Sequence, residues 1–207
     1  MWNRKHLKMV QGAAGLMFVV CGPSGAGKTS VINRVMRSVP RLSFSVSHTT
    51  RQRRAKETHG VDYYYVSEPE FQSLVDGDEL VEHVVYQGDQ YGTSRGEISR
   101  VFAAGDDLML NIDVQGARLL QQTSVGRDVA VVYIFLTTSS REHLRERLER
   151  RGTEPQSVID SRLATAEEEM DSIPLFDYLV INDDLERAVD ELSAIVTAER
   201  VKIRSHV

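Results

Sequence analysis

The chain has 207 residues, with a hydrophobic share of 41% and a charged share of 27%; this fits one compact unit or a core with small inserted subdomains, and argues against disorder. Its net charge of −5 is unevenly spread, because residues 1–56 hold eleven Lys and Arg and no Asp or Glu, a basic half suited to a polyphosphate or nucleic acid. The single cysteine, Cys21, excludes an intrachain disulfide framework, and no apolar stretch is long enough to cross a bilayer or to act as a secretory signal, so a cytoplasmic location is expected.

Residues 1–14 read as a flexible, polar, basic N-terminal extension. Residues 16–21 read as a buried strand, followed at once by a Gly-rich turn and an amphipathic helix over 29–38. Further apolar strands are predicted at 107–112, 129–136 and 178–181, with helices at 114–123, 139–150, 155–172 and 184–203. Continuous apolar strands separated by helices imply an α/β fold with a parallel sheet covered on both faces. Residues 43–93 break that rhythm with an alternating run at 61–66, a helix at 69–80 and an extended piece at 81–86. They read as a mixed α+β insert of antiparallel strands and one helix. Ser94-Arg95-Gly96-Glu97 has capping-box spacing and returns the chain to helix.

Gly22-Pro23-Ser24-Gly25-Ala26-Gly27-Lys28-Thr29 matches G-x-x-x-x-G-K-[ST] at every position, a P-loop. The glycines let successive backbone N–H groups turn inward around phosphate oxygens, and the following helix offers them its positive end. Lys28 can reach the β- and γ-phosphates of a nucleotide, and the Thr29 hydroxyl can ligate Mg²⁺. The apolar strand before the loop and the helix after it supply the expected context. A switch GTPase would also carry N-K-x-D, and none occurs here.

Residues 47–63 run Ser-His-Thr-Thr-Arg-Gln-Arg-Arg-Ala-Lys-Glu-Thr-His-Gly-Val-Asp-Tyr. With the P-loop, Glu82, Tyr91-Gly92-Thr93, Asp113-Val114-Gln115-Gly116, Arg151-Gly152-Thr153 and Ile181-Asn182-Asp183-Asp184, this run resembles the guanylate kinase family over about residues 16–200. The resemblance implies a P-loop nucleoside monophosphate kinase that moves the γ-phosphoryl group of ATP, with Mg²⁺, onto GMP. It implies a core of 15–42, 94–140 and 170–207, a GMP-binding insert of 43–93 and a small helical lid of 141–169.

By the same resemblance, Arg51 and Arg54 grip the GMP phosphate, with the hydroxyls of Tyr63 and Tyr91 as neutral donors. Guanine shows donors at N1 and N2 beside the acceptor O6, so Glu82 suits the two donors and Ser47, helped by Thr93, suits O6. The matching lid arginines are Arg147, Arg151 and Arg162, which would close over the phosphates and stabilise spreading charge; Asn182 matches an adenine-contacting position. Catalysis would rest on Lys28, Arg54, Arg151 and Arg162. Asp113, at a strand end, is expected near Mg²⁺ and GMP. Arg141, Arg145 and Arg150 read instead as a solvated, salt-bridged helix face.

Three departures from the family pattern stand out: Asn111 where an Asp is common, Arg53 where a Pro is customary, and Lys56 where a Gly is customary. The last two make the arginine loop less rigid and more basic. A phosphokinase acting on a ribose bisphosphate would share the P-loop but needs no guanine reader. A phosphopeptide-binding module of this family typically has an eroded P-loop, whereas this one is intact. No nucleic-acid-binding motif occurs, and the residues leave homo-oligomerisation open.

Overall fold

The computed structural model describes residues 15–86, 88–123, 125, 129–150 and 155–204. The N-terminal extension at 1–14 and Arg151 lie outside the described residues. In chain order the elements begin with β1 (Met17–Cys21), α1 (Lys28–Ser38), β2 (Leu42–Phe44), β3 (His48–Thr49), β4 (Tyr64–Tyr65), α2 (Glu68–Asp76), β5 (Leu80–Tyr86) and β6 (Asp89–Ser94). They continue with α3 (Arg95–Ala103), β7 (Asp107–Asn111), α4 (Val114–Gln122), β8 (Val131–Thr137), α5 (Arg141–Arg150) and α6 (Gln156–Met170). A short 3₁₀ turn (Ile173–Leu175), β9 (Tyr178–Ile181) and α7 (Leu185–Val201) complete the described chain.

Five strands pair in the order β2-β7-β1-β8-β9, and every pairing is parallel. β1 is central and buried along its whole length, which is why its sequence is apolar at five consecutive positions. Successive side chains of a strand point to opposite faces, and β1 divides accordingly. Phe18 and Val20 join a core with Val31, Ile32 and Val35 of α1 and Leu192 of α7. Met17, Val19 and Cys21 join a second core with Val101 of α3 and Ala117 and Leu120 of α4. Both faces of the sheet are thus covered, as the sequence pattern requires.

The second sheet has the order β4-β3-β6-β5. It is not purely antiparallel: β3 pairs β6 antiparallel and β5 pairs β6 antiparallel, but β3 pairs β4 parallel. Of the alternating run at 61–66 only Tyr64–Tyr65 is strand, because Thr58–Tyr63 turns on itself through Asp62 N–H to Thr58 O and Gly60 N–H to Tyr63 O. Strand β2 belongs to the five-stranded sheet, pairing Leu42–Phe44 with Asp107–Met109, so a boundary at residue 43 falls inside a core strand.

The helix starts also differ from the spacing-based reading. Ser94 caps α3 by accepting from Glu97 N–H, but the Glu97 carboxylate does not return to Ser94. It turns inward instead and accepts from Val46 N–H, Tyr64 Oη and Arg100, tying α3 to the second sheet. The complete capping box lies at Ser67 and Glu70, ahead of α2, with Pro69 in the first turn. Helices α5 and α6, expected as the lid, contribute Leu144, Leu148, Ile159, Leu163 and Ala166 to the same core as α1. Their solvent faces carry ion pairs of Arg141 with Glu167 (2.5 Å) and Arg145 with Asp160 (3.0 Å), as expected for a salt-bridged surface.

Candidate active site

The loop between β1 and α1 is fixed by backbone geometry that only glycine tolerates at two points. Gly22 has φ 132°, and a Cβ there would collide with the Leu136 carbonyl oxygen on β8. Gly27 has φ 88°, and a Cβ there would collide with Asn182 Nδ2. Asn182 is 2% exposed, donates to Ala26 O at 2.6 Å, and among the described residues its Oδ1 has no hydrogen-bond partner. Arg147 reaches the same carbonyl from α5: its guanidinium donates to Ala26 O at 3.1 Å and to Asn182 O at 2.5 Å. Arg162 of α6 donates to Ser24 Oγ at 3.2 Å. Two expected lid arginines therefore meet the loop that would cradle phosphate. Beside them lies a recess of about 240 Å³ lined by His143, Glu146, Arg147, Arg150 and Asp183.

Lys28 opens α1, and its ammonium donates to Gly22 O at 2.5 Å and Pro23 O at 3.2 Å. Thr29 follows it, exposed in the first turn. Asp113 is the N-cap of α4 and accepts from Gly116 N–H at 2.7 Å, so its strand-end position serves the helix. Burial pushes its carboxyl up, while Gly116 N–H and Lys28 pull it down.

Register brings the expected base readers together. Glu82 pairs with Thr93 across β5 and β6, and His48 pairs with Gly92 across β3 and β6, so Ser47 lies one step from that pair, level with Thr93. Thr93 Oγ1 donates to Glu82 Oε1 at 2.6 Å. Glu82 is 5% exposed, and burial pushes its carboxyl up to about 7, against the Thr93 hydrogen bond that lowers it. Gly116 in the first turn of α4 leaves room for the other carboxylate oxygen; a Cβ there would sit 2.8 Å from Glu82 Oε2.

The arginine loop packs against tyrosine rings of the insert. The Arg51 guanidinium sits 5.5 Å from the Tyr63 ring centre, and Tyr63 meets Tyr91 edge-on at 5.8 Å. Arg54 is mostly exposed, its guanidinium 3.8 Å from Glu57. These four groups form one cationic and phenolic cluster beside the base readers.

A sequence model of the family described as guanylate kinase matches residues 15–199. The chain belongs to the guanylate kinase family. It is 39% identical to a guanylate kinase of Desulfitobacterium hafniense (strain Y51), over 92% of this chain and 93% of that one. It is 42% identical to a guanylate kinase of Alkalilimnicola ehrlichii, over 91% of each. The crystal structure of guanylate kinase from Anaplasma phagocytophilum superposes with a TM-score of 0.75 at 31% identity, covering 93% of this chain and 90% of that one.

This guanylate kinase family member also contains site residues that sequence reasoning did not single out. Glu57 accepts from Arg51 at 2.9 and 3.0 Å, from Tyr65 Oη at 2.7 Å and from Arg54 N–H at 2.9 Å. Burial opposes its charge, but the Arg51, Arg54 and Tyr65 hydrogen bonds win and hold its carboxyl down at about 2. Its only signal was one acidic residue in a basic run. Tyr86, at the end of β5, meets Tyr91 edge-on at 6.5 Å. Glu169 of α6 is half-buried and burial pushes its carboxyl up, yet in sequence it is one of three consecutive glutamates and looks like solvent-exposed helix.

Proposed function

We propose that this family member transfers the γ-phosphoryl group of MgATP to GMP, giving ADP and GDP. The observation that carries the reading is the Thr93–Glu82 hydrogen bond, which holds a buried carboxylate near Ser47 and against the first turn of α4. A carboxylate can accept from guanine N1–H and N2–H together, while adenine would leave it unpaired.

In this reading Gly22, Pro23, Ser24, Gly25, Ala26, Gly27, Lys28 and Thr29 wrap the ATP phosphates. Asn182 Oδ1, buried and without a partner among the described residues, accepts from the adenine amino group, and Arg147 lines the adjoining recess. Ser47, Glu82 and Thr93 read guanine; Arg51, Arg54, Tyr63 and Tyr91 take the GMP phosphate. Lys28 and Arg54 neutralise the phosphoryl group as charge spreads over its equatorial oxygens, and Arg162 approaches from α6. Arg151 joins them by family resemblance.

The donor set fits Mg²⁺, which prefers oxygen ligands and keeps several waters. The exposed Thr29 hydroxyl could bind it directly, and Asp113 could do so through water. No group of three or more His, Cys, Asp or Glu side chains suited to a protein-only metal site occurs among the described residues. When bound, the cation would neutralise phosphate charge. No described helix is long and apolar enough to cross a membrane. The buried Cys21 thiol, whose pKa burial pushes well up, suits a reducing cytoplasm.

A coupled assay of ADP release with GMP, AMP, UMP, CMP and a ribose bisphosphate tests the proposal. GMP should be strongly preferred. Equal rates with AMP would contradict the base reader, and a rate with the ribose bisphosphate alone would replace the acceptor.

A further inference from the structure

The chain leaves the five-stranded sheet for the second sheet and later returns, and one carboxylate stands at both crossings. On the way out, β2 ends at Phe44, Ser45 N–H still donates to Met109 O of the core, and Val46 and Ser47 lead into β3. On the way back, β6 ends at Ser94 and α3 begins at Arg95. Glu97, in the first turn of α3, is 5% exposed. Its Oε2 accepts from Val46 N–H at 3.1 Å and Arg100 Nη2 at 2.9 Å. Its Oε1 accepts from Tyr64 Oη at 3.2 Å and Arg100 Nε at 2.9 Å. Burial opposes the charge of this carboxyl, but the hydrogen bonds from Arg100 and Val46 N–H win and hold it below the usual carboxylate range.

These bonds close around Ser47. The Ser47 carbonyl accepts from Tyr64 N–H at 2.9 Å. The residue before it, Val46, is held by Glu97, and the residue after it, His48, stacks on the Tyr64 ring with 4.8 Å between centres. Tyr64 in turn donates its hydroxyl to Glu97, so the circuit returns to the same carboxylate. Strands β3 and β4 have two residues each, below the usual strand length, and their ladder bonds alone do little to fix where Ser47 sits. Side chains must supply the rest. The proposed mechanism uses the Ser47 hydroxyl and assigns Glu97 no role.

We infer that Glu97 is a positioning residue for acceptor recognition: from the first turn of α3 it fixes Val46 and Tyr64, the residue before Ser47 and the strand beside it, and so sets where the Ser47 hydroxyl meets guanine O6. Glu97 touches neither nucleotide in this arrangement and acts through Ser47. Val46, Tyr64 and Arg100 all lie outside the P-loop, so the effect falls on GMP and spares ATP. A hydroxyl makes a good hydrogen bond over only a few tenths of an ångström, which is why the support of its backbone matters. The inference rests on the ATP-to-GMP reading, with Ser47 as its contact to O6.

The test is a double-mutant cycle in the full chain with Glu97→Gln and Ser47→Ala, assayed for ADP release with MgATP and GMP. Glu97→Gln keeps the side chain's size and removes its charge. It should raise KM for GMP about tenfold while KM for ATP stays within about twofold. In the Ser47→Ala background, Glu97→Gln should add less than about a twofold further rise. Tyr64→Phe deletes only the hydroxyl that meets Glu97, and it should raise KM for GMP about threefold with the melting temperature nearly unchanged. The inference is overturned if Glu97→Gln leaves KM for GMP at the wild-type value, or if its effect is fully additive with Ser47→Ala. A matching rise in KM for both nucleotides also overturns it, since Glu97 would then serve the fold as a whole. Should Glu97→Gln fail to fold, Tyr64→Phe decides alone, and a wild-type KM for GMP in that variant sinks the inference. A wild-type chain that does not phosphorylate GMP would reject the underlying reading, and this inference with it, before any variant is compared.

Discussion

Thr93 donates its hydroxyl hydrogen to Glu82 across 2.6 Å, inside a strand pair that leaves both residues buried. One carboxylate oxygen is thereby occupied, yet the group still sits with its pKa near 7 because burial disfavours its charge. Guanine binding requires the ionised form, so GMP should draw a proton off Glu82. KM for GMP should worsen by about tenfold as pH falls from 7.5 to 5.5. Glu82→Gln should abolish that component, leaving only the titration of the GMP phosphate, and should narrow the preference for GMP over AMP.

The same shift has a stability counterpart. A carboxyl with a folded-state pKa raised from 4.5 to about 7 is held protonated more firmly in the folded chain, so its contribution favours folding at low pH. That contribution declines as pH rises from about 4.5 to about 7. Denaturant titrations should show Glu82→Gln gaining on the wild type across this window by roughly 2 kcal/mol. A constant difference between pH 4.5 and 8 would argue against a buried, reluctant acid.

Glu57 runs the other way. Its folded-state pKa of about 2 lies below the ordinary 4.5, so it contributes stability above pH about 4.5 and loses it as pH falls toward 2. Replacing it with Gln should destabilise the fold at pH 7 by about 1–3 kcal/mol, with the gap shrinking below pH about 4.5 and closing toward pH 2. Because Glu57 grips Arg51 and the backbone of Arg54, KM for GMP should also rise several-fold. An unchanged KM would mean that these arginines orient themselves.

Gly27→Ala should remove activity by a different route. The new methyl group would meet Asn182 Nδ2 at a φ of 88°, so either the loop or Asn182 must move. KM for ATP should rise by at least about tenfold, with loss of thermal stability, because the strain and the displaced Ala26–Asn182 bond fall in one place.

Arg147→Ala separates holding the loop from holding ATP. Its two carbonyl contacts, to Ala26 and Asn182, should make its loss visible as a lower melting temperature before nucleotide is added. Saturating ATP should recover only part of that loss. A melting temperature equal to the wild type's would assign Arg147 to the nucleotide alone.

The core was legible in the sequence because its central strand is apolar at five consecutive positions, 17–21, as a strand buried on both faces must be. The P-loop was legible because glycine positions at 22 and 27 follow from backbone geometry that local sequence dictates. The second sheet was harder to read. Its two-residue strands β3 and β4 carry too few positions to display a period, and their parallel pairing is set by a turn between Thr58 and Tyr63. Glu97 shows the same limit: its spacing from Ser94 suggested a helix cap, but a buried partner set outcompeted that local bond. Glu57 was hidden because a carboxylate's role depends on which cations the fold brings to it.

The strand that carries Glu82 is also bulged: Leu80 pairs with Ser94, yet Glu82 pairs with Thr93, so two steps on β5 face one on β6. Val81 and Glu82, neighbours in the chain, are both buried as a result, one packed into the sheet core and one presented to the acceptor pocket. Gain or loss of a single residue inside either strand, between Glu82 and Tyr86 or between Asp89 and Thr93, would swing the carboxylate to the opposite side relative to Thr93 while leaving the P-loop untouched. In a lineage of such chains, length changes should therefore gather at the hairpin tip around Gly88, and those on the base-reading side of it should coincide with an altered choice of acceptor.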